Sequence, residues 1–491
     1  MNDTRMIWVT YFSPEPEKIA VILPKSIEAD AIKTLINQCG NKGQPKIIQQ
    51  DTSSSAFSPL AQTQLSKLDC NTTVYLLKSR ESFKQIKRKL NADGKLSVIE
   101  YSIFPSWENP RWLVPAQRSL LPGKMSRMIQ PSRLVAKLAV SIFRLLKIVN
   151  CTHYLFPCRL IVAHNNNTSF LNFFNALGTG VKTGIVYTGS FGPLQKFTVE
   201  LLDENGTPFA YAKFGHNKLS KQAIQNEQRV LKSLKSVPLS KVIIPELITA
   251  QLPETIADRT LIIKKLDGGN PLNQITDVIV TGLAELFSTT QENHSTNIKD
   301  YICIQITSLQ ELDCSGLDQE FIDMRDEIVA ILHNIANSRE STAILPLALS
   351  HGDFTRWNVR ADDKNIYIID WEEAAPRPLG HDLLTFLLAE YLLVTQTEPE
   401  QVVPRIIKEI TSGILNNYIE KINLTNNTST FDNTLLGILF FSEVVRSNLW
   451  HMTMHHHYEY PEKKSLSDLI KTSWACCVEL EKGLIDSISV N

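Results

Sequence analysis

His351-Gly352-Asp353-Phe354-Thr355-Arg356-Trp357-Asn358, followed by Ile368-Ile369-Asp370-Trp371-Glu372, is the stretch from which the rest of the chain is read. The Asp353–Asn358 spacing places the two residues at opposite ends of one tight loop. Lys364-Asn365 reads as a turn, and Ile366 to Ile369 as a short buried strand that returns Asp370 to the same place. Two carboxylates and an amide then share one cleft. Hard Mg²⁺ takes oxygen ligands of this kind, completed by phosphate and water. Phosphoryl transfer asks for little more than a carboxylate beside the acceptor hydroxyl and ligands for a magnesium that bridges the nucleotide phosphates. A bare His-Gly-Asp tripeptide is common loop chemistry. The full spacing, with apolar lead-ins at Leu345 to Leu349 and Ile366 to Ile369, is not.

These residues resemble the aminoglycoside phosphotransferase and choline kinase superfamily, which carries H-G-D-x-x-x-x-N and then I-D-W-E. The resemblance covers roughly 178–480. It implies an α+β, two-lobed, protein-kinase-like domain using ATP and Mg²⁺. It also implies that Asp353 orients the acceptor hydroxyl and takes its proton, and that Asn358 and Asp370 hold magnesium. His351 and Asp382 become braces of the loop, and Glu372 sits where the family often keeps an acid. Arg356-Trp357 departs from the small or proline-containing sequence of many relatives. A guanidinium there suits the transferred phosphate or an anionic acceptor, and equally a brace of the loop. No dense acid cluster near 372–400 announces an antibiotic cleft, so aminoglycoside resistance is disfavoured as the native role.

Upstream, a phosphate-covering loop, a lysine and a glutamate are expected. Tyr187-Thr188-Gly189-Ser190-Phe191-Gly192 lies between strand-like segments at 185–188 and 196–202, and Gly189, Ser190 and Gly192 let backbone approach phosphates, or simply make a hairpin turn. After the Asn205-Gly206 turn, Pro208 to Phe214 reads as a strand with Lys213 as its one charge. A lysine on an apolar strand needs a partner, and Glu227 of the following helix is the natural candidate. Leu261 to Gly268 resembles the family's hinge, with Lys265, Leu266 and Asp267 meeting the adenine edge.

At 491 residues the chain exceeds one core, and we divide it into an α/β region at 1–165, a small lobe at 170–269 and a helical lobe at 270–491. The first region reads as strands at Lys18–Leu23, Thr73–Leu77 and Leu96–Tyr101, with helices at 26–38 and 82–90; no glycine-rich fingerprint supports a dinucleotide. A formal net charge of −1 excludes a generally basic nucleic-acid binder. Eight scattered cysteines without C-x-x-C spacing read as reduced thiols. No secretory signal or long uncharged apolar run is present, so the chain is expected to be cytoplasmic.

Residues 111–150 hold eight Lys/Arg and no Asp/Glu. A helix over 133–149 would gather Arg133, Lys137, Arg144 and Lys147 on one arc and Leu134, Leu138, Ile142, Leu145, Leu146 and Val149 on the other. Such a helix suits an anionic membrane surface, placing the enzyme peripherally at the inner face, and suits internal packing equally. His451 and His455 to His457 lack a completing ligand and read as a helix-terminal cluster.

The sequence reading is an ATP- and Mg²⁺-dependent small-molecule kinase acting on a sugar or amino-alcohol hydroxyl. A pseudokinase would have lost Asp353 or Asp370. A protein kinase would carry a long activation segment where only eleven residues separate Asp370 from Asp382. A membrane-surface adaptor built on 111–149 is the third rival.

Overall fold

The structure is a computed structural model. It describes residues 19–24, 46–50, 72–77, 96–105, 110–115 and 159–165, the isolated helical positions 88, 138, 141, 142 and 145, and most of 181–489. Residues 190–193, 253–256, 292–294, 423–431 and 458–463 are among those left out of the later stretch. The expected helix at 26–38, most of those at 82–90 and 133–149, and Ser190 and Gly192 lie outside the described residues.

The chain forms two compact units, 1–225 with 246–265, and 226–245 with 266–491. In the first, β1 (Ile19–Pro24), β2 (Lys46–Gln50) and β3 (Thr72–Leu77) are parallel neighbours. β4 (Leu96–Pro105), β5 (Pro110–Pro115) and β6 (Arg159–Asn165) continue the sheet antiparallel. β7 (Thr183–Tyr187), β8 (Lys196–Leu202), β9 (Pro208–Gly215) and β11 (Thr260–Lys264) complete it, in the order β11-β9-β8-β7-β5-β4-β6-β3-β1-β2. The expected break at 165–170 therefore falls inside one ten-stranded sheet, where β5 pairs with β7. Alternation along these strands buries Tyr101, Ile103, Leu113, Ile161, Ile185, Val199 and Leu201. The helix α1 (Lys218–Leu234) follows β9.

In the second unit, β10 (Val242–Ile243), β12 (Asn270–Pro271), β15 (Val359–Ala361) and β16 (Ile366–Ile368) make a four-stranded sheet. β13 (Ser295–Asn297), β14 (Ile344–Ser350) and β17 (Ala375–Pro378) make a three-stranded one. The helices are α2 (Asp277–Thr290), α3 (Ile298–Gln310), α4 (Gln319–Ala336), α5 (His381–Ala389), α6 (Pro399–Ser412), α7 (Ile414–Ile422), α8 (Asn433–His457) and α9 (Lys464–Ser489). α8 is apolar nearly all round because it is the central helix, packed on α9, α3 and α4, and it buries Leu436, Ile438, Leu439, Phe441 and Val445. Gly413 separates α6 from α7. The histidine cluster occupies the last turn of α8, as expected. Among the described residues no helix is long and apolar enough to cross a membrane.

Candidate active site

The loop 351–358 takes its shape from its own backbone. Gly352 has φ +87°, and a Cβ there would lie 2.5 Å from the Glu373 carbonyl oxygen, so no other residue fits. Thr355 N donates to Asp353 O and Asn358 N to Thr355 O, both at 2.9 Å, closing two successive turns. Asn358 Nδ2 then donates to Asp353 Oδ2 at 2.8 Å and to Asp353 O at 3.0 Å. This fixes the carboxylate and leaves the Asn358 carbonyl oxygen for another partner. Ile369 N donates to Asn358 O at 2.9 Å, which zips the returning strand to the loop and delivers Asp370. Phe354 and Trp371, both fully buried, anchor the two ends. Desolvation, reinforced by Glu373 and Asp370, pushes the Asp353 carboxyl well above the usual carboxylate range against the Asn358 hydrogen bond.

His351 is fully buried against Trp371, ring centroids 4.9 Å apart. Its Nε2 faces the Ile369 carbonyl at 2.9 Å and so carries the proton, while Nδ1 accepts from Asp353 N at 3.3 Å. Burial pushes the imidazole pKa down and keeps the ring neutral. The expected brace role of His351 has this geometry behind it, and so does that of Asp382. Asp382 accepts from Ser350 Oγ (2.7 Å), His351 N (2.8 Å) and Gly352 N (3.0 Å). Burial acts to raise Asp382, but the hydrogen bond and charge of His381, with His351, outweigh it and hold the acid at about 2.

Behind this brace lies a buried layer that sequence reasoning missed. Arg377 Nε donates to Glu443 Oε1 at 2.6 Å, and Arg377 Nη1 to the Glu373 carbonyl at 2.9 Å. Tyr301 OH donates to Glu443 Oε2 at 3.3 Å, and His381 Nε2 lies 3.6 Å from that oxygen. Glu443 is held at about 2, burial being outweighed by Arg377 and His381. A glutamate in the middle of the apolar α8 was the available signal, since a buried carboxylate needs a cation.

Three carboxylates meet beside the loop. The oxygens of Glu227, Asp370 and Glu372 lie within 4.8 Å of one another, the one such group among the described residues. α1 is docked there by Asn226 Nδ2, which donates to the carbonyls of Glu372 (2.8 Å) and Ala374 (3.0 Å). Asp370 has φ 72°, ψ 56°, a left-handed backbone rare for a residue with a side chain. The three acids offer an all-oxygen donor set that fits a hard divalent cation. Arg356 Nε lies 3.2 Å from Glu390, which opens a π-helical turn, Glu390–Val394, directly after α5. Sequence reasoning singled out Arg356 but not this partner.

In the first unit, Gly189 has φ +78°, and a Cβ there would lie 2.3 Å from the Lys196 carbonyl oxygen. Gln195 Nε2 donates to Thr188 O at 3.0 Å across the same turn. Lys213 is buried on β9, opposite Thr198 of β8 and Leu261 of β11. Its strand neighbour Tyr211 donates to Glu200 Oε1 at 3.0 Å. Glu200, a fully buried acid on β8, was also missed. Lys265 N donates to Phe209 O at 2.9 Å, so the strand leading to Leu266 and Asp267 is fixed to β9.

Residues 196–409 match the model of the phosphotransferase enzyme family, APH. This segment belongs to that family. The phosphotransferase segment thus begins at β8 and ends in α6, with β1 to β7 outside it. A search of curated proteins gave no match. Among solved structures the chain is similar to a choline/ethanolamine kinase family protein from Mesorhizobium loti, with 11% identity, TM-score 0.38, and 60% of this chain and 87% of that one covered. It is similar to a microcompartment-associated aminopropanol kinase, with 12% identity, TM-score 0.41, and 65% and 98% covered. It is also similar to choline kinase from Cryptosporidium parvum Iowa II, with 14% identity, TM-score 0.37, and 63% and 91% covered. The α+β class read from the sequence is the class observed.

Proposed function

We propose that the protein is an ATP- and Mg²⁺-dependent phosphotransferase that phosphorylates a hydroxyl of a small molecule of the sugar or amino-alcohol type. The observation that carries this reading is the Asp353–Asn358 hydrogen bond, set in a phosphotransferase-family segment that also holds the Glu227, Asp370 and Glu372 carboxylates. Bound Mg-ATP supplies the γ-phosphoryl group. Asp353, held by the Asn358 amide, orients the acceptor hydroxyl and takes its proton. Asn358, through its carbonyl oxygen, and Asp370 hold the cation. Glu372 adds negative charge beside them, and Lys213, ordered by Glu227, takes the α- and β-phosphates. Gly189, Ser190 and Gly192 cover the phosphates, and Lys265 to Asp267 meet the adenine. Arg356, paired with Glu390, suits the transferred phosphate or an anionic acceptor.

The test is magnesium-dependent ATP turnover across sugars, amino alcohols and aminoglycosides, comparing wild type with Asp370→Ala. Turnover by wild type alone, with Mg-ATP affinity lost in the variant, supports the reading and names the acceptor class. Magnesium-dependent binding without turnover on any acceptor favours a pseudokinase. Failure of wild type to bind Mg-ATP removes the assignment of 351–372.

A specific observation also favours a peripheral position at the inner, anionic membrane surface for this cytoplasmic enzyme. Leu138, Ile142 and Leu145 are helical, on the one face the sequence makes apolar, and are 63%, 37% and 63% exposed. Wild type should sediment with phosphatidylglycerol vesicles and not with phosphatidylcholine vesicles, and L138E/L145E should stay in solution. Equal sedimentation of the variant would reject this placement.

A further inference from the structure

We infer that Asn226 is a positioning residue for the proposed cation site, and that it works by fixing Glu227 beside Asp370 and Glu372. The inference rests on the reading of 351–372 as the segment that holds the cation, and it says how that site is assembled.

The turn that follows Asp370 offers three consecutive carbonyls, and side chains take all of them. Asn226 Nδ2 donates to Glu372 O at 2.8 Å and to Ala374 O at 3.0 Å. Arg377 Nη1 takes the carbonyl between them, Glu373 O, at 2.9 Å. The two clamps do different work. Arg377 is four residues beyond Glu373 and is itself fixed on Glu443 at 2.6 Å, so it ties the turn to α8. Asn226 is 146 residues from Glu372 in sequence and stands next to Glu227 on α1. Its two bonds therefore hold α1 to a turn that Arg377 already fixes.

The amide is oriented as well as placed. Arg229 Nη2 donates to Asn226 Oδ1 at 2.6 Å, which occupies the carbonyl oxygen and leaves the NH₂ group to the turn. The two acceptors lie two residues apart, so a slide of α1 along the turn breaks at least one bond. What this arrangement holds together is unfavourable by itself. Glu227 is fully buried, and its carboxylate oxygen lies within 4.8 Å of those of Asp370 and Glu372. Like charges that close repel, and burial weakens their screening. Asn226 opposes that repulsion without adding charge of its own. Acids gathered in advance meet a cation with no rearrangement of α1, so the clamp is read in cation affinity.

The experiment is titration of full-length, nucleotide-free protein with Mn²⁺, followed by the electron paramagnetic resonance signal of the free ion. Binding that is lost in Asp370→Ala defines the site. Asn226→Ala is expected to weaken that binding about tenfold, the order of one or two hydrogen bonds. In a Glu227→Gln background, where the acid is already gone, Asn226→Ala should cost little more. Thermal unfolding checks each variant, and Asn226→Ser, whose hydroxyl is too short to span both carbonyls, repeats the test if Asn226→Ala does not fold. Wild-type affinity in Asn226→Ala overturns the inference. An equal loss with and without Glu227 also overturns it, since Asn226 would then brace the fold and nothing more. Absence of any Asp370-dependent Mn²⁺ binding in wild type does the same. The phosphotransferase reading fails separately, if wild type binds no Mg-ATP.

Discussion

The loop at 351–358 and the turn at 187–189 both pivot on a glycine near φ +80°, yet they are held in opposite ways. The first is held by buried charge. Asp382 takes two backbone N–H groups and the Ser350 hydroxyl, and Glu443, Arg377 and His381 form a second ionic layer behind it. The second is held by neighbouring strands, whose side chains reach its carbonyls. A loop that must keep a carboxylate at a fixed distance from an amide gains from rigid anchors at every backbone group. A loop proposed to admit a nucleotide needs only a fixed neck. The comparison assigns the cost of burying ions to the place where positional precision matters most.

Asp353→Asn tests that division most severely. It keeps the loop's shape and the Asn358 contact while removing the proposed base, so turnover should fall by about 10²–10⁴ with Mg-ATP affinity little changed; parallel loss of both would mean that the loop itself had shifted. Next in size is Glu443→Ala, which leaves Arg377 buried without its partner. It should cost about 3–5 kcal/mol, read by denaturant unfolding, and should lower kcat with the ATP KM little changed. Loss of nucleotide binding before loss of turnover would break the comparison.

The smallest effect is the acid response. Asp382 and Glu443 are held at about 2 in the folded state, below ordinary unfolded values of about 4. Depressed carboxylates contribute stability that is present above the unfolded pKa and is lost as pH falls toward the folded one. The second unit should therefore weaken between about pH 4 and pH 2, and Glu443→Gln should flatten that decline. Hydrogen exchange over this range checks it, because the strand-held turn at 187–189 should lose protection later than the loop at 351–358.

The same contrast explains what could be read from the sequence. The loop 351–358 and its returning strand are local, so spacing and two apolar runs sufficed to place Asp353, Asn358 and Asp370. β8 and β9 were legible because alternation and Asn205-Gly206 are local signals as well. Apolar periodicity does not mark the break at Gly413, whose φ −108°, ψ −134° leave the helical region while Glu409 accepts from Ile414 N at 3.2 Å. The pairing of β5 with β7, and of Glu443 with Arg377, joins residues 66 or more apart, and nothing in either neighbourhood names the partner. The joining of the N-terminal strands to the later sheet was invisible for that reason, because an edge strand looks the same whether or not another covers it.

The left-handed backbone at Asp370 carries one more consequence. A non-glycine residue pays about 1–2 kcal/mol to sit there, and glycine does not. A screen for heat resistance alone should therefore enrich Asp370→Gly, removing a cation ligand from the proposed site while the protein becomes harder to melt. At this position stability and chemistry select for different residues, and the aspartate records which of them has prevailed.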